Sequence, residues 1–389
     1  METAELFLDI SELSLKKHGE SVCGDQIRTA RTSDRTIVVL SDGLGSGIKA
    51  SILATLTTEI IIRMLKADVG LADVVETVIG TLPVCRVRKI AYSTFAMVEI
   101  FHADHSYKTV NFDSPEVMLF RRGRLIRPER RTTRIRDRDI FVSQGTLEEG
   151  DFICLTSDGV LHAGLGVKMN FGWGWDNVAE HVERRLDTHP SCAWEVTHNV
   201  LAQTYSLYGG KPGDDASAVG ILARRRNRVV ILTGPPLDRA AESGIVERFL
   251  RSKGRKIVCG GTTGNIVARH LGREVEVDMK TVTPDVPPIG ALPGVELLTE
   301  GIITMSKTLA LLEECDFNPA MLPSRRDGAV LLAREILNAD AIHFIVGQSI
   351  NEFYQNPDVS KHISIRKNLI REIVFSLTQH DKEVTVEYC

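Results

Sequence analysis

The chain has 389 residues, of which 43% are hydrophobic and 25% are charged, and its formal net charge is −4. This length fits two domains of ordinary size, and the composition is that of a soluble globular protein. The slightly negative charge argues against a general nucleic-acid or membrane-surface binder. We therefore expect neither nucleic acid nor membrane among the partners.

Seven cysteines are scattered along the chain without a CxxC pair, which is typical of free thiols in a reducing compartment. The first five residues lack the basic start and apolar core of a signal peptide. No segment reaches about 18 uncharged apolar residues, and the most apolar helix candidate, over 52–65, contains Glu59 and Arg63. These features predict a cytoplasmic protein.

The first predicted element is a short buried strand over 36–40, which is apolar and β-branched. It ends in Ser41-Asp42-Gly43, and Ser46 then fits the N-cap of a long helix. Helices, then hairpin-connected strands, then more helices predict an α+β layered domain, not a parallel βαβ repeat. The further predicted elements are helices over 47–66 and 71–80, strands over 91–101, 107–112, 117–120, 125–126 and 151–155, helices over 176–186 and 192–205, and a strand over 216–222.

An arginine-rich stretch over 223–228 interrupts the apolar pattern, so we place a domain boundary there, between domains of 1–224 and 225–389. Beyond it, strands and helices alternate, which predicts a smaller α/β three-layer domain with a partly parallel sheet. We expect this domain to be regulatory, or to sense a ligand or partner. Its predicted strands span 229–233, 256–259 and 341–346, and its predicted helices span 239–253, 265–271, 300–314, 328–337 and 366–378.

Four aspartates lie next to predicted strands: Asp25, Asp42, Asp158 and Asp214. Carboxylates are preferred ligands of Mg²⁺ and Mn²⁺, and a glycine after the aspartate allows close backbone approach. Two such ions about 3.5–4 Å apart bind a phosphate and activate a water. One Asp-Gly pair is usually a plain turn, but the set predicts a metal-dependent phosphatase site. The nearest rival, a phosphatase with a nucleophilic aspartate, needs an aspartate where Leu40 stands.

The motifs around these aspartates resemble the metal-dependent protein phosphatases of type 2C. The resemblance is to the bacterial branch that contains the stage II sporulation protein E phosphatase and the sigma-factor regulatory phosphatases, and it covers about residues 10–222. The motifs that carry it are Gly24-Asp25, Leu40-Ser41-Asp42-Gly43-Leu44-Gly45-Ser46-Gly47 with Lys49-Ala50, Ser93-Thr94-Phe95, Ser157-Asp158-Gly159-Val160 and Gly213-Asp214-Asp215-Ala216-Ser217.

This resemblance implies an αββα sandwich of two antiparallel sheets flanked by helices, with two Mn²⁺ or Mg²⁺ ions at one edge. It implies that Asp42 bridges the ions and that the carbonyl of Gly43 joins one of them. Asp158 and Asp214 would be terminal ligands, and Asp25 would ligate the second ion directly or through water. The helices over 48–80 are a candidate switch for metal recruitment.

The implied function is hydrolysis of phosphoserine or phosphothreonine on a regulatory phosphoprotein, such as an anti-anti-sigma-like regulator, by a metal-activated water. Two alternatives stay open. One is a phosphohydrolase of a small phosphorylated metabolite, and the other is a weakly active scaffold that binds partners. A homodimer also stays open.

Three other features have competing interpretations. Nine arginines over 121–138 form either a docking surface for an acidic or phosphorylated partner, or a solvated hairpin or an intramolecular contact with the second domain. Lys17 and His18 either meet the phosphate or lie in a solvated loop. In the second domain, an anionic ligand site is predicted where a strand meets a helix, although the segment is neither a Walker loop nor GxGxxG and the alternative is a plain connection. Its residues are Gly260, Gly261, Thr262, Thr263 and Gly264.

Overall fold

The computed structural model describes residues 6–81, 93–135, 138–166, 168–349, 359–380 and 382–389. It divides the chain into two compact units, Met1–Arg225 and Arg226–Cys389. The described cysteines are all free thiols. Across the described ranges, no helix combines the length and the apolar character needed to cross a bilayer.

The described part of the first unit is built from antiparallel strands and helices. Its strands are β1 (Leu6–Leu15), β2 (Asp25–Arg31), β3 (Arg35–Gly43), β4 (Ser93–Phe101), β5 (Ser106–Phe112), β6 (Met118–Arg121), β7 (Arg124–Ile126), β8 (Arg130–Ile135), β9 (Arg138–Thr146), β10 (Phe152–Thr156) and β11 (Ala216–Arg225). Its helices are α1 (Gly47–Lys66), α2 (Leu71–Thr81), α3 (Asp158–Leu161), α4 (Trp175–Leu186) and α5 (Ala193–Leu207).

These strands form two sheets, with the orders β1-β11-β10-β6-β7 and β2-β3-β4-β5-β9-β8. Successive side chains of β3 point to opposite faces, as in any strand. Ile37 and Val39 pack with α1 and α2, whereas Val38 and Leu40 pack into the apolar layer between the sheets. Helices α4 and α5 cover the outer face of the other sheet. The predicted αββα sandwich is therefore confirmed.

The second unit is an α/β domain. Its strands are β12 (Arg228–Thr233), β13 (Arg255–Cys259), β14 (Glu276–Asp278), β15 (Ile289–Leu292), β16 (Val295–Thr299), β17 (Ala341–Val346) and β18 (Glu383–Tyr388). Its helices are α6 (Glu242–Arg251), α7 (Gly261–Leu271), α8 (Ile302–Glu314), α9 (Gly328–Asn338) and α10 (Val359–Gln379).

One sheet of order β14-β15-β16-β13-β12-β17-β18 runs through this unit. The pairings from β16 to β18 are parallel, and those of β14 and β15 are antiparallel. Val229 and Ile231 of β12 pack on the side of α8, α9 and α10, whereas Val230 and Leu232 pack on the side of α6 and α7. Helices on both faces of a mostly parallel sheet confirm the predicted three-layer domain.

Candidate metal centre

Asp25 and Asp42 lie directly opposite each other on neighbouring strands. Asp25 is the first residue of β2, and the antiparallel register pairs it with Asp42 near the end of β3. Residues paired in this way have Cβ atoms about 4.5–5.5 Å apart and share one face of the sheet. The sequence placed Asp25 in a turn before the first strong strand, whereas the structure places it inside a strand that was not predicted.

Asp158 and Asp214 reach the same place from the other sheet. Asp158 begins α3 directly after β10, and Asp214 stands just before β11, which pairs with β10. The negative charges of Asp158 and Asp214 act on Asp42 together with that of Asp25. All four predicted site aspartates therefore converge at one end of the sandwich.

Burial and mutual repulsion raise the pKa values of these carboxyl groups. Burial first, then the charges of Asp25 and Asp158, raise the pKa of Asp42 to about 10. Burial also raises the pKa of Asp25 to about 7, against the lowering effect of two nearby serine hydroxyls. The pKa of Asp214 is raised by burial and by the charge of Asp158. A nearby cation reverses such shifts, because it favours the charged form of a carboxyl group.

The chemistry of these donors fits divalent ions that prefer oxygen ligands. Both carboxylate oxygens of Asp25 are buried, and although the hydroxyls of Ser157 and Ser217 are near, neither forms a hydrogen bond of good geometry with them. A buried carboxylate without such partners is costly, and a cation offsets that cost. Mg²⁺ and Mn²⁺ both accept carboxylate oxygens. Within the described ranges, however, no three histidine, cysteine, aspartate or glutamate side chains are arranged to hold an ion, so the structure shows the donors without a coordination geometry.

Two glycines allow the close backbone contacts that place these aspartates. A Cβ atom on Gly43 would lie 2.0 Å from the carbonyl oxygen of Ala50 in α1. A Cβ atom on Gly159 would lie 1.9 Å from the carbonyl oxygen of Asp215. Both positions therefore exclude any side chain, and the glycine of each Asp-Gly pair has a packing role.

Serine hydroxyls hold the strands around the aspartates in place. The hydroxyl oxygens of Ser41 and Ser93 are 2.6 Å apart, and Ser93 also donates to the carbonyl of Asp42 at 3.0 Å. In the other sheet, the amide of Ser217 donates to the hydroxyl of Ser157 at 2.9 Å. The hydroxyl of Tyr208 donates to the carbonyl of Gly159 at 2.8 Å. This contact was not predicted, because no local sequence pattern indicates a contact between residues this far apart.

A turn that begins at Lys17 contacts Asp214 and Asp215 at one end and the residue before α1 at the other. The amide of Lys17 donates to Oδ1 of Asp215 at 2.9 Å, and its Nζ lies 4.0 Å from Oδ1 of Asp214. At the other end of the turn, Oε1 of Glu20 accepts a hydrogen bond from Ser46 at 2.9 Å, just before α1. Asp215 therefore anchors the turn. Lys17 lies beside Asp214, and a contact of Lys17 or His18 with the phosphate stays a prediction.

A comparison with protein families identifies this unit. Residues 32–224 match the family described as stage II sporulation protein E (SpoIIE). The N-terminal domain belongs to the SpoIIE family. We call it the SpoIIE domain below. Asp42, Asp158 and Asp214 fall within the matched residues, and Asp25 precedes them.

Several solved structures resemble the chain, and no curated protein matches its sequence. One contains the PP2C phosphatase domain and a fragment of the regulatory domain of SpoIIE from Bacillus subtilis, with 19% identity and a TM-score of 0.49 over 58% of this chain and 64% of that one. The chain thus spans less than two thirds of that structure. Another contains the RsbU and RsbW domains of a Mycobacterium tuberculosis protein, with 16% identity and a TM-score of 0.48 over 64% and 68% of the two chains. A third is RsbX in complex with magnesium, with 15% identity and a TM-score of 0.42 over 57% and 98%.

The arginines over 121–138 are largely paired with acids of the SpoIIE domain itself. Arg121 forms an ion pair of 2.7 Å with the buried Asp151. Further pairs join Arg124 to Asp187 at 3.4 Å, Arg127 to Asp176 at 3.2 Å, Arg130 to Glu116 at 3.6 Å and Arg138 to Asp113 at 3.3 Å. These contacts favour the solvated-hairpin interpretation over a docking surface.

The glycine-rich segment of the second unit forms the first turn of a helix. The sequence predicted a helix from 265, but α7 begins at Gly261. Glycine is a poor helix former, yet a Cβ atom on Gly264 would lie 2.6 Å from Leu298, so close packing against β16 requires it. The carboxylate of Glu300 lies beside Gly261, 3.5 Å from where its Cβ would stand. This helix start thus already has an anionic neighbour, which is the charge that a helix N-terminus favours.

Proposed function

We propose that the SpoIIE domain hydrolyses phosphoserine or phosphothreonine on a regulatory protein. The observation that carries this proposal is the convergence of Asp25, Asp42, Asp158 and Asp214 from both sheets of a SpoIIE-family domain. The raised pKa values and the unpartnered oxygens of Asp25 support a cation among them.

In this proposal the four aspartates and the carbonyl of Gly43 hold two Mn²⁺ or Mg²⁺ ions. Asp42 would contact both ions, Asp158 and Asp214 would be terminal ligands, and Asp25 would act directly or through water. Bound ions would supply positive charge for the phosphate and lower the pKa of the attacking water. We assign catalytic roles to Asp42 and Asp25.

Lys17 adds a positive charge from the chain itself. Its ammonium group lies beside Asp214, and 38% of its side chain is exposed, so it can approach a phosphate from solvent. The peptide around the phosphate would then meet the turn that begins at Lys17, because that turn lies beside the aspartates.

The family resemblance supports an anti-anti-sigma-like regulator, or another target of a bacterial serine kinase, as the substrate. A cytoplasmic location, a homodimer and a regulatory role for the second unit stay predictions.

The deciding experiment compares full-length protein with its Asp42→Asn variant in Mn²⁺-dependent phosphatase assays. We expect the variant to lose activity by about 100-fold or more. Mutating a residue that only hydrogen-bonds to a metal ligand already lowers activity or metal affinity by about 10–100-fold, and Asp42 is proposed as a ligand itself. Its circular dichroism spectrum should match that of the parent protein. Near-normal Mn²⁺-dependent turnover in the variant would overturn the assignment.

The same assays separate the two alternative functions. A phosphoserine peptide and a panel of phosphorylated metabolites serve as parallel substrates. Preference for a metabolite would indicate a small-molecule phosphohydrolase. No Mn²⁺-dependent turnover of any substrate by folded protein would leave the partner-binding scaffold.

A further inference from the structure

The sheet of the second unit changes direction at β12. After β12 the chain forms β13 beside it and then β14, β15 and β16 farther out on the same side, and it finally crosses to the other side of β12 to form β17 and β18. The helices change face at the same point, because α6 and α7 cover one face while α8, α9 and α10 cover the other. In open α/β sheets, ligands bind at the carboxyl ends of the strands where the order reverses. Here that position lies between β12 and β17.

Arg366 of α10 occupies this position. Its Nη1 donates to the carbonyl of Gly347, the residue that follows β17, at 3.1 Å. A Cβ atom on Gly234, the residue that follows β12, would lie 2.4 Å from the same Nη1. The absence of a side chain at Gly234 therefore makes room for the guanidinium between the ends of the two strands.

Among the residues that the structure describes, no carboxylate balances the charge of Arg366. Burial lowers the pKa of its guanidinium, and no carboxylate of the described residues offsets that effect. Other arginines of this unit do have such partners, as Arg255 has Glu335 at 2.6 Å. A half-buried cation of this kind costs stability unless an anion joins it. A guanidinium also keeps donors free when only one nitrogen is bonded.

We propose that Arg366 binds the phosphate group of a small phosphorylated ligand at the carboxyl ends of β12 and β17. The planar guanidinium matches two phosphate oxygens at once, which is why arginine recurs in phosphate sites. The segment Gly260–Gly264 that the sequence indicated follows β13, which pairs with β12 on the side away from β17. The start of α7 already faces Glu300 and is not part of the proposed site.

Isothermal titration calorimetry on the full chain tests this proposal with inorganic phosphate, pyrophosphate and ADP as probes. The Asp42→Asn background with EDTA prevents phosphate from binding at the candidate metal centre. We expect at least one probe to bind, and Arg366→Gln to weaken it by about tenfold or more, the range of hydrogen bonds to charged groups. Arg371→Gln, an exposed arginine on the same helix, is the matched control and should bind as the parent does.

Hydrogen exchange on the chain with Arg366 intact gives a second readout, which holds even if the variant fails to fold. A bound probe should slow exchange over 232–236 and 345–349. The proposal is wrong if no probe binds, or if Arg366→Gln and Arg371→Gln bind a probe equally well.

Discussion

Glu20 supplies a negative charge to the start of α1, although it precedes Ser46 by 26 residues. The first turn of α1 contains no acid, and Ser46 makes no cap bond to the helix. A carboxylate at a helix N-terminus contributes about 0.3–1 kcal/mol. We therefore expect Glu20→Gln to lower the free energy of unfolding by about that amount in urea titrations. Glu12→Gln, on the exposed side of β1, is the control, and equal values for the two variants would contradict the prediction.

Gly159 is a residue without a side chain that we expect to be essential for the candidate metal centre. Because its Cβ would overlap the carbonyl oxygen of Asp215, Gly159→Ala must push α3 away from the start of β11. We expect a loss of about 1–3 kcal/mol in the free energy of unfolding, as for other overpacked sites. Mn²⁺-dependent activity should fall with it, because Asp158 moves.

Gly70→Ala provides the matched control for this variant. A Cβ atom there would meet only Asp73, at an ordinary 3.6 Å. Urea unfolding and phosphatase assays on both variants should separate them clearly. A Gly159→Ala protein as stable and as active as the control would show that the backbone relaxes more easily than its packing suggests.

At the scale of elements, β8 is an edge strand whose side chains are exposed except at Ile135. Charged residues on such a strand discourage pairing with another chain. Arg130 also lies over the ring of Phe141, 4.4 Å from its centroid. These contacts give the arginines a structural role that needs no partner.

We accordingly expect a variant with Arg130, Arg131 and Arg134 changed to glutamine to retain its turnover of the phosphoprotein. Its tendency to aggregate, measured by light scattering, should increase. A fall in kcat/KM for the phosphoprotein, with kcat/KM for a short phosphopeptide unchanged, would restore the docking interpretation.

Elements with an uninterrupted apolar pattern were predictable from the sequence, and those that depend on their neighbours were not. The strand predicted over 341–346 is β17 (Ala341–Val346), and the helix predicted to end near 66 is α1. Neither β1 nor β8 was predicted. The apolar and polar residues of β1 alternate as in a half-buried strand, but its partner β11 lies far away in the chain. Strand β8 pairs with β9 directly after it, and its arginine-rich composition does not indicate a strand.

The residues of the candidate site also fall into those that the sequence predicted and those that it did not. The aspartates were found because each precedes or follows a short signature in the sequence. Glu20 and Tyr208 were missed because their contacts join segments that are far apart in the chain. The reversal of strand order at β12 was equally hidden, since the order of parallel strands is set by crossovers and not by strand composition.

At the scale of the whole molecule, a metal ion bound at the candidate centre would link activity to stability. A ligand that binds only the folded state at about 100 times its Kd adds about 2.7 kcal/mol. We expect Mn²⁺ to raise the melting temperature accordingly and EDTA to reverse the effect. Differential scanning fluorimetry across a Mn²⁺ series measures it.

The metal-free Asp42→Asn protein should be more stable than the metal-free parent, by about 0.5–2 kcal/mol, because one crowded carboxylate is gone. The same variant should gain little from Mn²⁺. Greater stability of the parent in EDTA would show that the four carboxylates do not repel one another as their raised pKa values indicate.

The register of β2 against β3 has a consequence for how this sequence can vary. The short connection from Arg31 to Arg35, closed by the amide of Thr32 on the carbonyl of Arg35 at 2.9 Å, fixes how many residues separate Asp25 from Asp42. Inserting or deleting one residue within β2 would turn Asp25 to the opposite face of the sheet. Such a change would abolish the proposed phosphatase activity with every aspartate still present in the sequence. The number of residues between Asp25 and Asp42 is therefore as important for the site as the two aspartates themselves.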